Sequence, residues 1–259
     1  MTAPFLTVLG VLGFAGALVA GLVGVGGAIV MIPLLYYVPP LLGVGALDMR
    51  AVAGVTMAQV FAAALLGAWF HGRWGGLNRR LALVGGAAMA LTTLIGAVAS
   101  RWVGGRVLLV VFGLMGLLAL VLMYVTPVER PVSLPAPPPV GWLAATYPGV
   151  IGLMAGLVGA GGAFLLVPVL NGLLRVPFRE AIGTSLAITT ASAFAGFAGK
   201  AVTRQVPLWP TVVVMVGSLS GAPLGARLSR HAPVRVLRHV LAVLIALATV
   251  RVWADVFFP

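Results

Sequence analysis

The chain has 259 residues, of which 61% are hydrophobic and only 8% charged; a soluble domain carries about 25% charged residues. So few charges cannot cover a soluble globule, and a mean hydropathy of +1.17 places the outer surface in lipid. No cysteine is present, which excludes disulfides, thiolate catalysis and cysteine metal sites, and the net charge of +12 comes from scattered arginines rather than a basic tract, which argues against nucleic acid.

The first apolar run covers Phe5 to about Val38. It is too long for a signal-peptide core and has no basic region before it, so it reads as a membrane segment of the mature protein. As one straight helix it would reach about 50 Å at 1.5 Å per residue, against a hydrocarbon core of about 30 Å. Gly24, Gly26 and Gly27, followed by Pro33, lie inside it. These are helix breakers, and they predict two shorter helical pieces joined at the glycines.

Further apolar runs follow at about 51–70, 81–100 and 107–126. The stretch from Pro127 to Pro139 then holds six prolines and predicts an extended, semi-rigid linker. Four more runs follow at about 140–174, 181–199, 208–226 and 236–257. The expected fold is an all-α polytopic membrane protein of about eight hydrophobic segments in two four-segment halves. Residues 1–126 and 140–259 are the two membrane repeats and 127–139 the linker.

The halves are copies. Residues 16–35, GALVAGLVGVGGAIVMIPLL, lie over residues 151–170, IGLMAGLVGAGGAFLLVPVL, at a spacing of 135 residues. Six extra residues in the first copy change the spacing to 129, which then persists. MRAVAGVTM (49–57) falls over FREAIGTSL (178–186), and IGAVASRWVGGRVL (95–108) over LGARLSRHAPVRVL (224–237). A glycine-interrupted hydrophobic segment in corresponding positions of two halves points to a substrate site made by broken helices. The two breaks are expected to meet near the membrane midplane, related by a pseudo-two-fold axis. Charge at the loops does not orient the chain: an odd number of crossings per half, as with a re-entrant first segment, would invert the halves, and an even number would leave them parallel.

Three groups of residues carry candidate chemistry. Gly24, Gly26, Gly27 and their counterparts Gly159, Gly161, Gly162 allow a backbone turn at positive φ and close approach of a ligand. A helix restarting there offers free N–H groups at a positive helix end, which suits an anion. The same glycines would also serve plain helix packing. Thr56, Thr184 and Ser185 sit near the start of the next helices, where hydroxyls cap, back-bond or face a polar cavity. Gln59 is the only amide inside its segment; a glutamine in hydrocarbon is costly unless paired, so it should face the bundle interior. Arg50 and Arg179 occupy matching positions, and either anchor the helix ends or gate and steer an anion. His71, His231 and His239 have no acidic partner near in sequence, and the four carboxylates are ungrouped. No catalytic or metal constellation emerges, so neither enzyme activity nor a cofactor is expected.

The paired GLVGVGGAIVMIPLL and GLVGAGGAFLLVPVL, each followed by a matching element (AVAGVT, EAIGTS) and by Gly96-Ala97, Gly221-Ala222 or Gly225-Ala226, resemble the TauE/SafE family of sulfite exporters and sulfonate permeases. The resemblance spans nearly the whole chain. It implies a multi-pass carrier of the bacterial inner membrane for small sulfur-containing anions such as sulfite, thiosulfate or an organosulfonate. The partners implied are a small anionic solute and the lipid bilayer. The first copy departs in having Val55 where the second has Thr184. A passive anion channel, or a membrane-embedded enzyme acting on lipid or acyl groups, is the alternative.

Overall fold

The computed structural model describes residues 2–23, 26–73, 76–125 and 142–258. The proline-rich linker lies outside these residues, as do Gly24 and Trp74. The described chain is helical: α1 (Ala3–Val23), α2 (Ala28–Leu41), α3 (Met49–Arg73), α4 (Arg79–Ala99), α5 (Gly105–Val125), α6 (Leu143–Val158), α7 (Ala163–Gly172), α8 (Phe178–Val202), α9 (Leu208–His231) and α10 (Val234–Phe257). Seven of these are long and apolar enough to cross a membrane. Their outward faces carry bare leucine and valine, for example Leu83 at 75% and Leu247 at 64% exposure. Such faces are tolerable only against lipid.

Both long apolar runs break where the glycines stand. Gly26, Gly27, Gly161 and Gly162 all have φ between +61° and +83°, a region that costs an L-residue about 1–2 kcal/mol. The breaks reverse the chain. A Cβ on Gly27 would meet Ala20 and the Gly16 carbonyl, one on Gly16 would meet Met31, and Gly45 packs on Phe5. So α2 runs back along α1, and the pair forms a hairpin whose ends share one face. Gly162 stands in the same way against Ile151 and Ala155, so α6 and α7 repeat the motif.

Glycine-mediated contacts fix the relative directions of three helix pairs. Gly13 abuts Val214, Gly21 abuts Ala222 and Ala226, and Gly217, Gly221 and Gly225 abut Gly10, Phe14 and Leu18. Hence α1 and α9 are parallel, with backbones brought together by small residues. Gly85 meets Pro148, Gly152 meets Met89 and Thr92, and Gly156 meets Thr93 and Ala97, so α4 and α6 are parallel too. By contrast Gly67 meets Leu186, and Gly196 meets Met57. That crossed pairing makes α3 and α8 antiparallel.

The antiparallel pair settles the sense of the duplication. α3 and α8 match at 129 residues yet run in opposite directions, so the halves are inverted. Each half consists of a hairpin that returns to its own side and three crossing helices. The hairpin of each half packs on the second crossing helix of the other: α1 on α9, and α6 on α4. α5 and α10 pair with each other. α3 and α8, the most enclosed of the long helices, form the centre.

At the helix ends, arginines lie on aromatic rings: Arg73 over Trp69 (4.3 Å), Arg101 over Trp102 (3.8 Å) and Arg251 over Tyr37 (4.1 Å). These are the amphipathic anchors that an interface selects.

Candidate functional site

The two breaks meet. A Cβ on Gly26 would lie 3.2 Å from Val60 and 3.5 Å from Thr189, and 3.4 Å from Ala163 of the other hairpin. A Cβ on Gly161 would lie 2.5 Å from the same Val60 and 3.2 Å from the same Thr189. Val60 and Thr189 are themselves repeat partners and stand at the middle of α3 and α8. The pseudo-two-fold axis therefore passes between them, and the two glycine turns flank it.

Here α2 and α7 begin. Their N-caps are Gly27 and Gly162, and neither receives a side-chain cap. The first N–H groups of a helix have no intrahelical partner, and the dipole gives that end a partial positive charge. Two such ends converge on the centre. Pro33 and Pro168, one turn further on, lack the N–H that would bond the carbonyls of Ile29 and Phe164.

The polar side chains around this point are fully buried and unsatisfied. Gln59 Oε1 and Nε2, Thr56 Oγ1 and Thr189 Oγ1 have no hydrogen-bond partner among the described residues, and all three residues are 0% exposed. A Cβ on Gly27 would come within 3.1 Å of Gln59 Nε2, so the amide lies against the first turn. A buried polar group without a partner costs about 1–3 kcal/mol. Four such atoms at a helix crossing are costly to the fold and suited to a polar ligand. The set holds N–H and O–H donors and no carboxylate, which matches an oxyanion.

Not every candidate belongs to this cluster. Gly159 (φ +82°) lies nearer the membrane face, against Ala53. Thr184 accepts a hydrogen bond from Asn78 N (2.9 Å), and Asn78 in turn caps α4 and bonds Glu180. Ser185 back-bonds to Ile182 O (2.8 Å). Asp48, not a hydroxyl, accepts from Ala51 N at the start of α3.

Arg50 and Arg179 do the same job in each half. Arg50 donates from Nε and a terminal nitrogen to Val103 O at 3.1 and 3.0 Å. Arg179 donates to Ala232 O at 3.1 Å. Val103 and Ala232 are also repeat partners, so each arginine clamps the start of a central helix to the α4–α5 or α9–α10 connection.

Two sets of residues were not among the candidates. Thr189 is the repeat partner of Val60, and its place on the axis follows from the 129-residue spacing once the helices are antiparallel. The other set is Lys200, Ser100 and Gln205, a buried polar cluster at the end of α8. Its signal in the sequence is that the single lysine of the chain matches His71 at the same spacing.

Inverted halves, paired discontinuous helices and a polar centre at the middle of α3 and α8 define a multi-pass membrane transporter. The comparisons with known proteins agree. The model of the sulfite exporter TauE/SafE family matches residues 9–252, and the chain belongs to that family. It is 24% identical over 241 residues to the "Probable membrane transporter protein YdhB" of Bacillus subtilis (strain 168), covering 91% of this chain and 95% of that protein. It is 28% identical over 249 residues to a "Probable membrane transporter protein" of Xylella fastidiosa (strain 9a5c), covering 94% and 92%. No solved structure matches.

Proposed function

We propose that the protein is a secondary carrier of the bacterial inner membrane for small sulfur-containing anions: sulfite, thiosulfate or an organosulfonate. The observation that carries this reading is the convergence of two uncapped helix N-termini with the unpaired polar atoms of Thr56, Gln59 and Thr189. Positive helix ends favour an anion, and the neutral donors around them suit several oxygens on a compact centre. The family name supports sulfur as that centre.

Inversion favours a carrier over a channel. In a pseudo-symmetric pair, exchanging the conformations of the two halves turns an outward-open site into an inward-open one. The membrane potential supplies about 2.3 kcal/mol per charge at 100 mV, enough to expel an anion without a nucleotide. The test is flux of labelled sulfite, thiosulfate and taurine into proteoliposomes. A carrier gives saturable flux that depends on the imposed gradient; non-saturating flux supports a channel, and no flux of any sulfur anion removes the substrate assignment.

A further inference from the structure

Lys200 is the only lysine of the chain and is 0% exposed. Its Nζ reaches Ser100 Oγ at 2.8 Å, Leu157 O at 3.3 Å and Gln205 Oε1 at 3.4 Å. An ammonium has three protons to donate, and these three acceptors take them. All three are neutral, and no ion pair to Lys200 is present among the described residues. A buried charge is normally paired, because desolvation alone costs several kcal/mol. Hydrogen bonding is complete here, and the charge is offset in part by the negative ends of α4, α6 and α8, whose last residues surround it, but by no carboxylate among the described residues.

The location of this charge is specific. Leu157 lies two residues before the turn that begins at Gly159, so the ammonium sits beneath the second hairpin's tip. Gln205 O packs on Gly54 at the start of α3, a Cβ there coming within 2.5 Å, and Gly159 packs on the neighbouring Ala53. Thr56 and Gln59 follow within the next two turns of α3. The cluster thus forms one wall between a membrane face and the central site. The other cation on this side, Arg50, is held on Val103 O.

We propose that Lys200, in its protonated form, supplies a positive charge that balances the transported anion: the counter-ion of this lysine is the solute itself, not a carboxylate of the protein. This rests on the anion-carrier reading above and adds the residue that sets charge selectivity. Lys200 lies outside direct contact with the axis and acts through the field, so its effect must scale with the charge of the anion. Lys200 follows Thr189 by eleven residues of α8, about 16 Å of helix rise; removing one positive charge at about that distance in an effective dielectric of about 20 weakens a monovalent anion about sixfold, and a divalent one about thirtyfold. A merely structural role weakens both alike.

The experiment uses full-length protein in nanodiscs, with binding of chloride, nitrate, sulfate, sulfite and thiosulfate followed by thermal shift and titration. Three variants are compared. Lys200→Arg keeps the charge and should stay within a few-fold of wild type. Lys200→Gln should lose affinity in the valence-dependent pattern. Gln205→Glu is the decisive one: it places a carboxylate beside the ammonium, pairs it within the protein and leaves the lysine in place. Its ion pair with the ammonium offsets the lost donations from Gln205 Nε2 to Thr203 Oγ1 and Ala97 O, so the fold should persist while anion affinity falls as in Lys200→Gln, and it decides the matter even where Lys200→Gln fails to fold. Unchanged affinity in Gln205→Glu, or equal loss for monovalent and divalent anions, overturns the role of Lys200 while leaving the carrier reading intact. Valence-dependent loss with a non-sulfur anion alone keeps the role of Lys200 and overturns the substrate class. A wild type that binds none of these anions overturns both.

Discussion

The glycine turns can be tested at one atom's resolution by Gly27→Ala. The residue has φ +83°, and its new Cβ would lie 2.8 Å from Ala20 Cβ, 3.1 Å from Gln59 Nε2 and 3.2 Å from Gly16 O. The left-handed backbone costs an alanine about 1–2 kcal/mol, and overpacking a filled site costs about 1–3 kcal/mol. Gly43→Ala provides the control: it has φ +65° but nothing within 4 Å, so it carries the backbone term alone. The loss of unfolded-chain entropy from Gly to Ala is common to both and cancels in the comparison. Gly27→Ala should therefore be less stable than Gly43→Ala by about 1–3 kcal/mol. At about 2–4 °C per kcal/mol for a chain of this size, the gap in Tm is on the order of 2–12 °C by tryptophan fluorescence in detergent. Transport should separate the two further, because only Gly27→Ala pushes on the Gln59 amide. Equal melting and equal flux in the two variants would refute the claim that this turn is packed against the polar centre.

Three further outcomes follow from the same geometry. Gln59→Leu and Thr189→Val remove buried polar groups that have no partner; each should raise stability by about 1–3 kcal/mol while cutting anion binding at least tenfold, as read by melting and titration on one sample. Arg50→Gln breaks a charge-assisted clamp worth about 1.5–3 kcal/mol, so it should lower Tm and leave KM unchanged between low and high salt; a KM that rises only at low salt would instead mark a steering charge. The chain has no cysteine, so single cysteines report topology directly: Thr2→Cys and Phe258→Cys should label from the same side of the membrane, and Asn78→Cys from the opposite side.

Much of this architecture is legible in the sequence because its signals are local or periodic. The excess length of Phe5–Val38, together with Gly26-Gly27, requires a break, and the structure has one there. Antiparallel halves were not legible. The direction of α8 against α3 depends on whether the first segment returns to its own side, and the loop arginines are too evenly spread to decide. The hydroxyls divide for a physical reason. Thr56 and Thr184 hold similar sequence positions, but Thr184 finds a backbone donor at Asn78 and Thr56 finds none. The two are not repeat partners, since Thr184 matches Val55 and Thr56 matches Ser185, and the residue matching Asn78 is Pro207, which has no N–H to donate. Arg50 and Arg179 read equally well as anchors or gates until their carbonyl partners are seen.

The scaffold is symmetric and the polar groups are not, and that difference bears on the transport cycle. The glycine turns repeat at the 135-residue spacing, and the crossing helices and arginine clamps at the 129-residue spacing. Within the centre, the first half contributes Thr56 and Gln59, whose partners in the second are Ser185 and Ile188; the second contributes Thr189, opposite Val60. Beneath the hairpin tips, Lys200 on one side answers His71 on the other. A perfectly two-fold carrier would have outward- and inward-facing states of equal energy and no preferred resting state. Each unmatched polar group adds a term that differs between the two states, and a population ratio of 99 to 1 requires only about 2.7 kcal/mol. Under the carrier reading, the inverted backbone makes both states reachable, and the unmatched residues set which one the empty protein prefers and how the anion shifts it.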